Sequence, residues 1–163
     1  MKIPLILNEK KIILTAEPTD TLLHVLRKEN IYSVKCGCEK GICGNCMVLL
    51  DDTPVPSCKI PMGIIRDCKI ETLEHFKNRP EFQDIISGFS QAGVHMCGYC
   101  NSGKILTAYS ILSRKNKPNL EQIQTAIKNL DSCCTDYSTL TNGILYAVSN
   151  NHAREGKKLN GKK

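Results

Sequence analysis

Four of the ten cysteines in this 163-residue chain, Cys38, Cys43, Cys46 and Cys58, follow a C-x4-C-x2-C spacing with the fourth twelve residues further on. Spacing this tight constrains the backbone more than any hydrophobic pattern does, because three thiols from one short loop must converge on one small object. Glycine interleaves the run Cys36-Gly37-Cys38-Glu39-Lys40-Gly41-Ile42-Cys43-Gly44-Asn45-Cys46. A loop wrapped around an inorganic core needs conformations closed to residues with a Cβ. Gly37, Gly41 and Gly44 also let amide N–H groups approach whatever is bound, and such bonds favour its more negative, reduced state.

Three chemistries compete for such a loop. A disulfide scaffold needs an oxidising compartment, and Met1-Lys2-Ile3-Pro4-Leu5 has neither the apolar stretch nor the cleavage site of a signal peptide. The expected compartment is therefore the cytoplasm. Zinc prefers paired C-x2-4-C knuckles. Gaps of four and two followed by a distant fourth cysteine match the [2Fe-2S] pattern of plant-type ferredoxins, so the quartet is expected to hold that cluster and the chain to carry electrons. Only Cys38 stands five positions before Cys43, which leaves Cys36 as a spare or semi-buried thiol. Cys68 has no partner at cluster spacing and reads as a buried thiol. The histidines do not pair with cysteines on the matching spacings that a Rieske centre needs.

No apolar run approaches the roughly 20 residues that span a bilayer, so membrane insertion is not expected. The formal charge of +6 is mostly offset, because each oxidised cluster with four thiolates carries about −2, bringing a two-cluster protein near +2. Much of the remaining charge lies between Arg154 and Lys163, a segment without aromatics. That argues for a solvated tail and against a nucleic-acid interface.

The fold class expected is α+β: an N-terminal β-grasp, ferredoxin-like domain over residues 1–76, a helical iron–sulfur bundle over 77–152, and a flexible basic tail over 153–163. Ile3, Leu5 and Leu7 alternate, Asn8-Glu9-Lys10 make a turn, and Lys11 to Thr15 return as a second strand. Leu22, Leu23, Val25 and Leu26 form one face of a helix. Met47 to Leu50 and Cys68 to Leu73 are strand candidates, separated by the proline-rich stretch Pro54 to Pro61. The period then changes. Phe82, Ile85, Ile86 and Phe89 recur at helical spacing, as do Ile105 to Leu112, Leu120 to Leu130 and Leu140 to Val148. Four amphipathic helices make a small bundle.

A second cysteine group lies at the turns of that bundle: Cys97-Gly98-Tyr99-Cys100 and Cys133-Cys134. Each precedes a helix, whose free N–H groups and dipole favour an anionic centre. Face-to-face packing of two helical hairpins would bring the pairs together, and spacing alone leaves iron–sulfur and zinc both open. Tyr99 would shield the centre and pack in the bundle.

Over residues 2 to 150 the chain resembles the small iron–sulfur subunits of the molybdenum hydroxylases, the xanthine dehydrogenase and aldehyde oxidoreductase family. The motifs are Asp20-Thr21-Leu22-Leu23-His24-Val25-Leu26-Arg27, Gly37-Cys38, Gly41-Ile42-Cys43-Gly44-Asn45-Cys46, Val48-Leu49-Leu50-Asp51, Ser57-Cys58, and Cys97-Gly98-Tyr99-Cys100 with Gly103. The resemblance implies two [2Fe-2S] clusters, the first near a flavin and the second near a molybdopterin. It implies partner chains, a molybdopterin-binding large subunit that oxidises substrate and a FAD-binding medium subunit, with electrons relayed between them. In the family the last cysteines form C-R-C-T-G-Y. Aligning Cys134-Thr135-Asp136-Tyr137 with C-T-G-Y puts Ser132 at the first of those cysteines and Cys133 at the arginine. Cys133 could serve by a one-residue shift, Ser132 could ligate through oxygen, or the second cluster could be lost. Thiolate preference favours Cys97, Cys100, Cys133 and Cys134. Met96 stands where the family has a glutamine that reaches toward the molybdopterin. Asn101-Ser102-Gly103 replaces Thr-Pro-Gly, and Asp52 replaces a turn glycine.

Two other readings remain from the residues alone, a free-standing ferredoxin-like carrier and a structural or assembly subunit with a degenerate second site. A subunit should expose apolar residues around both cysteine ends, where a mobile carrier would be charged.

Overall fold

The computed structural model describes residues 1–114, 116–132 and 134–160. Strands β1 (Lys2–Leu7) and β2 (Lys10–Thr15) form an antiparallel hairpin. Its two-residue turn places Asn8 and Glu9 at φ of 50° and 66°, the left-handed pair that matches the twist of the strands. Helix α1 (Leu22–Lys28) starts at Thr21, whose hydroxyl accepts the His24 N–H, and ends on Arg27 and Lys28, which suit its negative C-terminus. It lays Leu22, Leu23, Val25 and Leu26 over Ile3, Leu5 and Leu14 as one buried core.

Strands β3 (Met47–Leu50), β4 (Thr53–Pro56) and β5 (Lys69–Glu71) complete a five-stranded sheet of order β2-β1-β5-β3-β4, in which β1 and β5 run parallel. Strand β4 corrects the expectation of a plain connecting stretch there. Pro54 and Pro56 are tolerated because β4 is an edge strand and owes fewer ladder hydrogen bonds.

Alternation along β3 joins the two halves: Val48 points into the sheet's own core and Leu49 into the helical core. The helical half comprises α2 (Leu73–Phe76), α3 (Pro80–Ala92), α4 (Asn101–Leu112), α5 (Leu120–Ile127) and α6 (Tyr137–Asn160). Leu73 and Phe76 of α2 are buried among the helices rather than under the sheet. Asn119 and Gln122 form a capping box on α5, and Asp136 caps α6 through the Thr139 N–H. The segment expected as a flexible tail from residue 153 is helical to Asn160. Arg154 Nε donates to the buried Asp84 carboxylate on α3 at 2.8 Å, which anchors the helix beyond the bundle proper.

A hub of charge locks sheet to bundle. Arg79 donates through Nε to Glu71 at 3.1 Å and through a second nitrogen to the same carboxylate. Its remaining nitrogen lies 2.8 Å from Asp52 Oδ1 and 3.0 Å from the Tyr109 hydroxyl, and the guanidinium stacks over Phe76 and Tyr109. Asp52, at φ 66°, turns the β3–β4 hairpin and also accepts the Tyr109 hydroxyl at 2.9 Å.

Candidate functional site

The first cysteine loop hangs between α1 and β3 and is closed by Cys58, in the short 3-10 turn that follows β4. Cys43, Cys46 and Cys58 are buried and Cys38 is half-buried. Backbone N–H groups are aimed at sulfur: Cys38 N–H reaches Cys43 Sγ at 3.5 Å, and those of Lys40 and Cys43 reach Cys38 Sγ at 3.3 and 3.4 Å. The amides of Cys43 and Ile42 hold the Cys38 thiol down at about 6. Burial, followed by the Cys46 sulfur, pushes Cys58 up to about 12, although the Gly41 N–H works the other way. Burial raises Cys43 as well. Thiols crowded this way ionise together only around a cation, and amide-bonded sulfurs are the donor set of an iron–sulfur centre. A Cβ on Gly37 would stand 2.8 Å from Cys43 Sγ, so a side chain there would displace that sulfur.

Cys36 is exposed and donates to Glu39 Oε1 at 3.3 Å, alongside His24, whose Nε2 lies 2.8 Å from the same oxygen. Cys68 is half-buried at the margin of the sheet's core.

In the helical half, Cys97 and Cys100 end the loop before α4, and Cys134 lies in the loop before α6. Their three sulfurs all lie within 4.8 Å of one another. Buried Thr135 clips the two loops together, accepting the His95 N–H at 2.9 Å and donating to the His95 carbonyl at 2.5 Å. Burial works to raise the Cys134 thiol, but the Cys97 N–H and the Lys104 ammonium outweigh it and bring it to about 6. Three converging thiols with one held as thiolate fit an iron–sulfur centre. Cys133 lies outside the described residues, and Ser132 is solvent-exposed. The Gly98 N–H donates to Asn101 Oδ1 at 3.1 Å. Met96 packs against the helical core. Tyr99 does not pack in the bundle as expected. It is 45% exposed, and its hydroxyl donates to the Cys36 carbonyl at 3.4 Å, bridging the two cysteine loops.

The loops meet along a tight seam. Gly44, at φ 78°, follows Cys43, and Gly103 lies three residues after Cys100; a Cβ on Gly103 would stand 2.8 Å from the Gly44 carbonyl oxygen. Buried Ser102 Oγ lies 3.0 Å from the Asn45 carbonyl and 3.2 Å from that of Ser33, and Asn45 Nδ2 donates to Asp131 at 2.6 Å. Sequence reasoning missed Ser102, Asn45 and Lys104 as site residues. For Lys104 a signal existed: it stands four positions after Cys100 on the same helical face and precedes the apolar pair Ile105-Leu106.

Two thiol centres whose loops share a backbone contact define a two-centre iron–sulfur electron carrier. Residues 5–67 match the 2Fe-2S iron-sulfur cluster binding domain, and residues 72–145 match the [2Fe-2S] binding domain. The chain is 35% identical over 143 residues to the nicotinate dehydrogenase small FeS subunit of Eubacterium barkeri, covering 87% of this chain and 91% of that one. It is 30% identical over 134 residues to the xanthine dehydrogenase iron-sulfur-binding subunit of Escherichia coli O157:H7, covering 81% and 84%. The fold superposes on quinoline 2-oxidoreductase from Pseudomonas putida 86 with a TM-score of 0.81 at 28% identity, over 94% of this chain and 96% of that one. The chain therefore belongs to the small iron–sulfur subunits of the molybdenum hydroxylase family, as its motifs led us to expect. It carries two [2Fe-2S] clusters and is the electron-transfer subunit of an oxidoreductase complex. No helix among the described residues is long and apolar enough to cross a membrane.

Proposed function

We propose that this chain relays electrons in the cytoplasm between a molybdopterin-binding catalytic subunit and a FAD-binding subunit. Cys38, Cys43, Cys46 and Cys58 hold the first cluster, on the flavin side. Cys97, Cys100, Cys133 and Cys134 hold the second, on the molybdopterin side. Each cluster, when bound, takes up and returns one electron, and no substrate bond is made on this chain. The residues supply ligation, amide hydrogen bonds that stabilise the reduced state, and burial of the sulfurs of Cys43, Cys46, Cys58 and Cys100. The observation that carries this reading is the Gly44–Gly103 contact, which brings the two cysteine loops into backbone touch. Ile42 beside Cys43 is 53% exposed, and Tyr99 lies beside Cys100. Such apolar residues at both cysteine ends suit permanent partner chains better than a mobile carrier.

Cys133 supplies the fourth thiolate of the second cluster, since the Ser132 hydroxyl is a harder, poorer donor to iron. Iron and sulfide quantitation with EPR of the dithionite-reduced protein tests the assignment. The parent should hold four irons and give two S = 1/2 signals. Cys133→Ser should erase the second signal alone, and Ser132→Ala should keep both. A parent with a single signal would end the relay reading. Copies of the tagged chain isolated from its own host should bring down two larger chains, one with molybdopterin and one with FAD. Recovery of the chain alone would end the partner assignment.

A further inference from the structure

Helix α4 buries one formal charge. Lys104 is 0% exposed, and its immediate helical neighbours, Gly103, Ile105 and Leu106, are apolar. No carboxylate forms an ion pair with it among the described residues. The ammonium instead donates to Cys134 Sγ at 3.3 Å, and the Cys100 sulfur lies 4.0 Å from that of Cys134. A lysine is seldom buried without a counter-charge, because removing an ammonium from water is costly unless an anion faces it. The anions facing this one are cysteine sulfurs from both loops of the second centre. A purely structural role is poorly served by a lysine here, since an apolar residue of similar length would fill the same channel without the desolvation cost.

We propose that Lys104 sets the reduction potential of the second cluster by holding a full positive charge against two of its ligand sulfurs. This rests on the second cluster being bound at Cys97, Cys100 and Cys134. Reduction adds one electron to the cluster and exchanges no proton or bond with the lysine. The added negative charge is stabilised by a cation in hydrogen-bond contact, whose ammonium is itself buried away from water and so is weakly screened. The oxidised cluster gains less from the same cation, so the potential rises above the value that an apolar residue would leave. Lys104 is in this sense a positioning and tuning residue rather than a ligand. The first centre has amide donors at its sulfurs and no such cation among those contacts. Lys104 therefore raises the second cluster's potential, and not the first's, through a feature of this chain alone.

The test is an EPR-monitored redox titration of the whole protein, parent against Lys104→Met and Lys104→Gln. Both variants should keep four irons and two signals. At the parent's midpoint, the reduced-to-oxidised ratio of the second cluster should fall about tenfold in Lys104→Met, equivalent to about 59 mV for one electron. Lys104→Gln keeps a donor without the charge and should fall less. The first cluster should not move. An unmoved second midpoint in both variants, or an equal shift of both clusters, would overturn the proposal. Should Lys104→Met fail to assemble the second cluster, parent protein labelled with ζ-15N lysine keeps the question open to refutation. Its reduced second cluster should show a 15N hyperfine coupling, and absence of that coupling would overturn the contact. A parent with one signal would overturn the second ligand set and this inference together, whereas two signals with unmoved midpoints would overturn the inference alone.

Discussion

Gly103→Ala sets two opposed effects against each other at the seam between the centres. Gly103 is the third residue of α4, and alanine for glycine within a helix ordinarily gains about 0.5–1 kcal/mol. Here the added methyl would stand 2.8 Å from the Gly44 oxygen and 3.0 Å from the Gly44 carbonyl carbon. Both are backbone atoms on a loop tethered by Cys43 and Cys46, so no side-chain rotation relieves the overlap. Ordinary contact begins at 3.4 Å, and the loops must part by about 0.6 Å. Overpacking of this kind costs about 1–3 kcal/mol. The adjacent bond from Ser102 to the Asn45 carbonyl, 3.0 Å in the parent, stretches in the same movement. The clash outweighs the helical gain and leaves a net loss of about 1–2 kcal/mol. For a chain of this size that lowers Tm by about 2–8 °C. Melting of the holoprotein, followed by its visible cluster absorbance, reads the loss. EPR of the fully reduced protein reads the separation, because the magnetic coupling of two spins weakens with the cube of their distance. A lower Tm with weaker coupling is expected. A variant that melts higher with unchanged coupling would refute the reasoning, since only the helical gain would then be acting and the loops would not touch.

The other perturbations act on the junction between the halves. Arg79→Ala removes the guanidinium shared by Glu71, Asp52 and Tyr109 and leaves the largely buried Glu71 with His75 as its neighbour. Breaking a fully buried pair costs about 3–5 kcal/mol; the partial exposure of this one reduces the expected loss to about 2–3 kcal/mol in denaturant unfolding. A loss below about 0.5 kcal/mol would mean the hub is ornamental. Glu74 accepts the Ser33 N–H at 2.9 Å and the Ser33 hydroxyl at 2.6 Å. Burial tends to raise its carboxyl, but the Ser33 and Thr72 hydroxyls and the Ser33 N–H outweigh it, and the folded value lies below the ordinary 4.5. Its stabilisation is therefore complete above pH 4.5 and is lost as pH falls through the folded value. Glu74→Gln should be less stable than the parent at pH 7 and converge with it in acid. A gap that does not change with pH would contradict the ionic account.

Much of this architecture was legible because it is written in local terms. A helix face repeats every three to four residues and a strand face every two, so α1, α3 to α6, β1 to β3 and β5 follow from sequence periodicity. Strand β4 was hidden because Pro54 and Pro56 are strand breakers except at an edge, and edge position is a property of the whole sheet. The end of α6 was hidden for a similar reason. A basic, polar stretch frays by composition, and the carboxylate that anchors Arg154 lies on another helix. Tyr99 was expected to shield the centre and pack in the bundle, but its hydroxyl found a carbonyl in the other domain.

The sequence by itself determined the chemistry expected of the first cysteine loop. Ligand spacing within a loop specifies which metal core the loop can wrap, and the C-x4-C-x2-C run with Cys58 needed no partner element to be read. Only the tertiary structure decided how the two centres address each other. The Gly44–Gly103 contact, the Ser102 bridge and the Tyr99–Cys36 bond join residues 57 to 69 positions apart, and no periodicity or spacing rule reaches across such a gap. Lys104 belongs to both levels. Its place on the face of Cys100 is fixed by the helical repeat, but its meaning comes from the burial of that face and the arrival of Cys134 from a loop 30 residues away, because a charge tunes a centre only where water has been excluded.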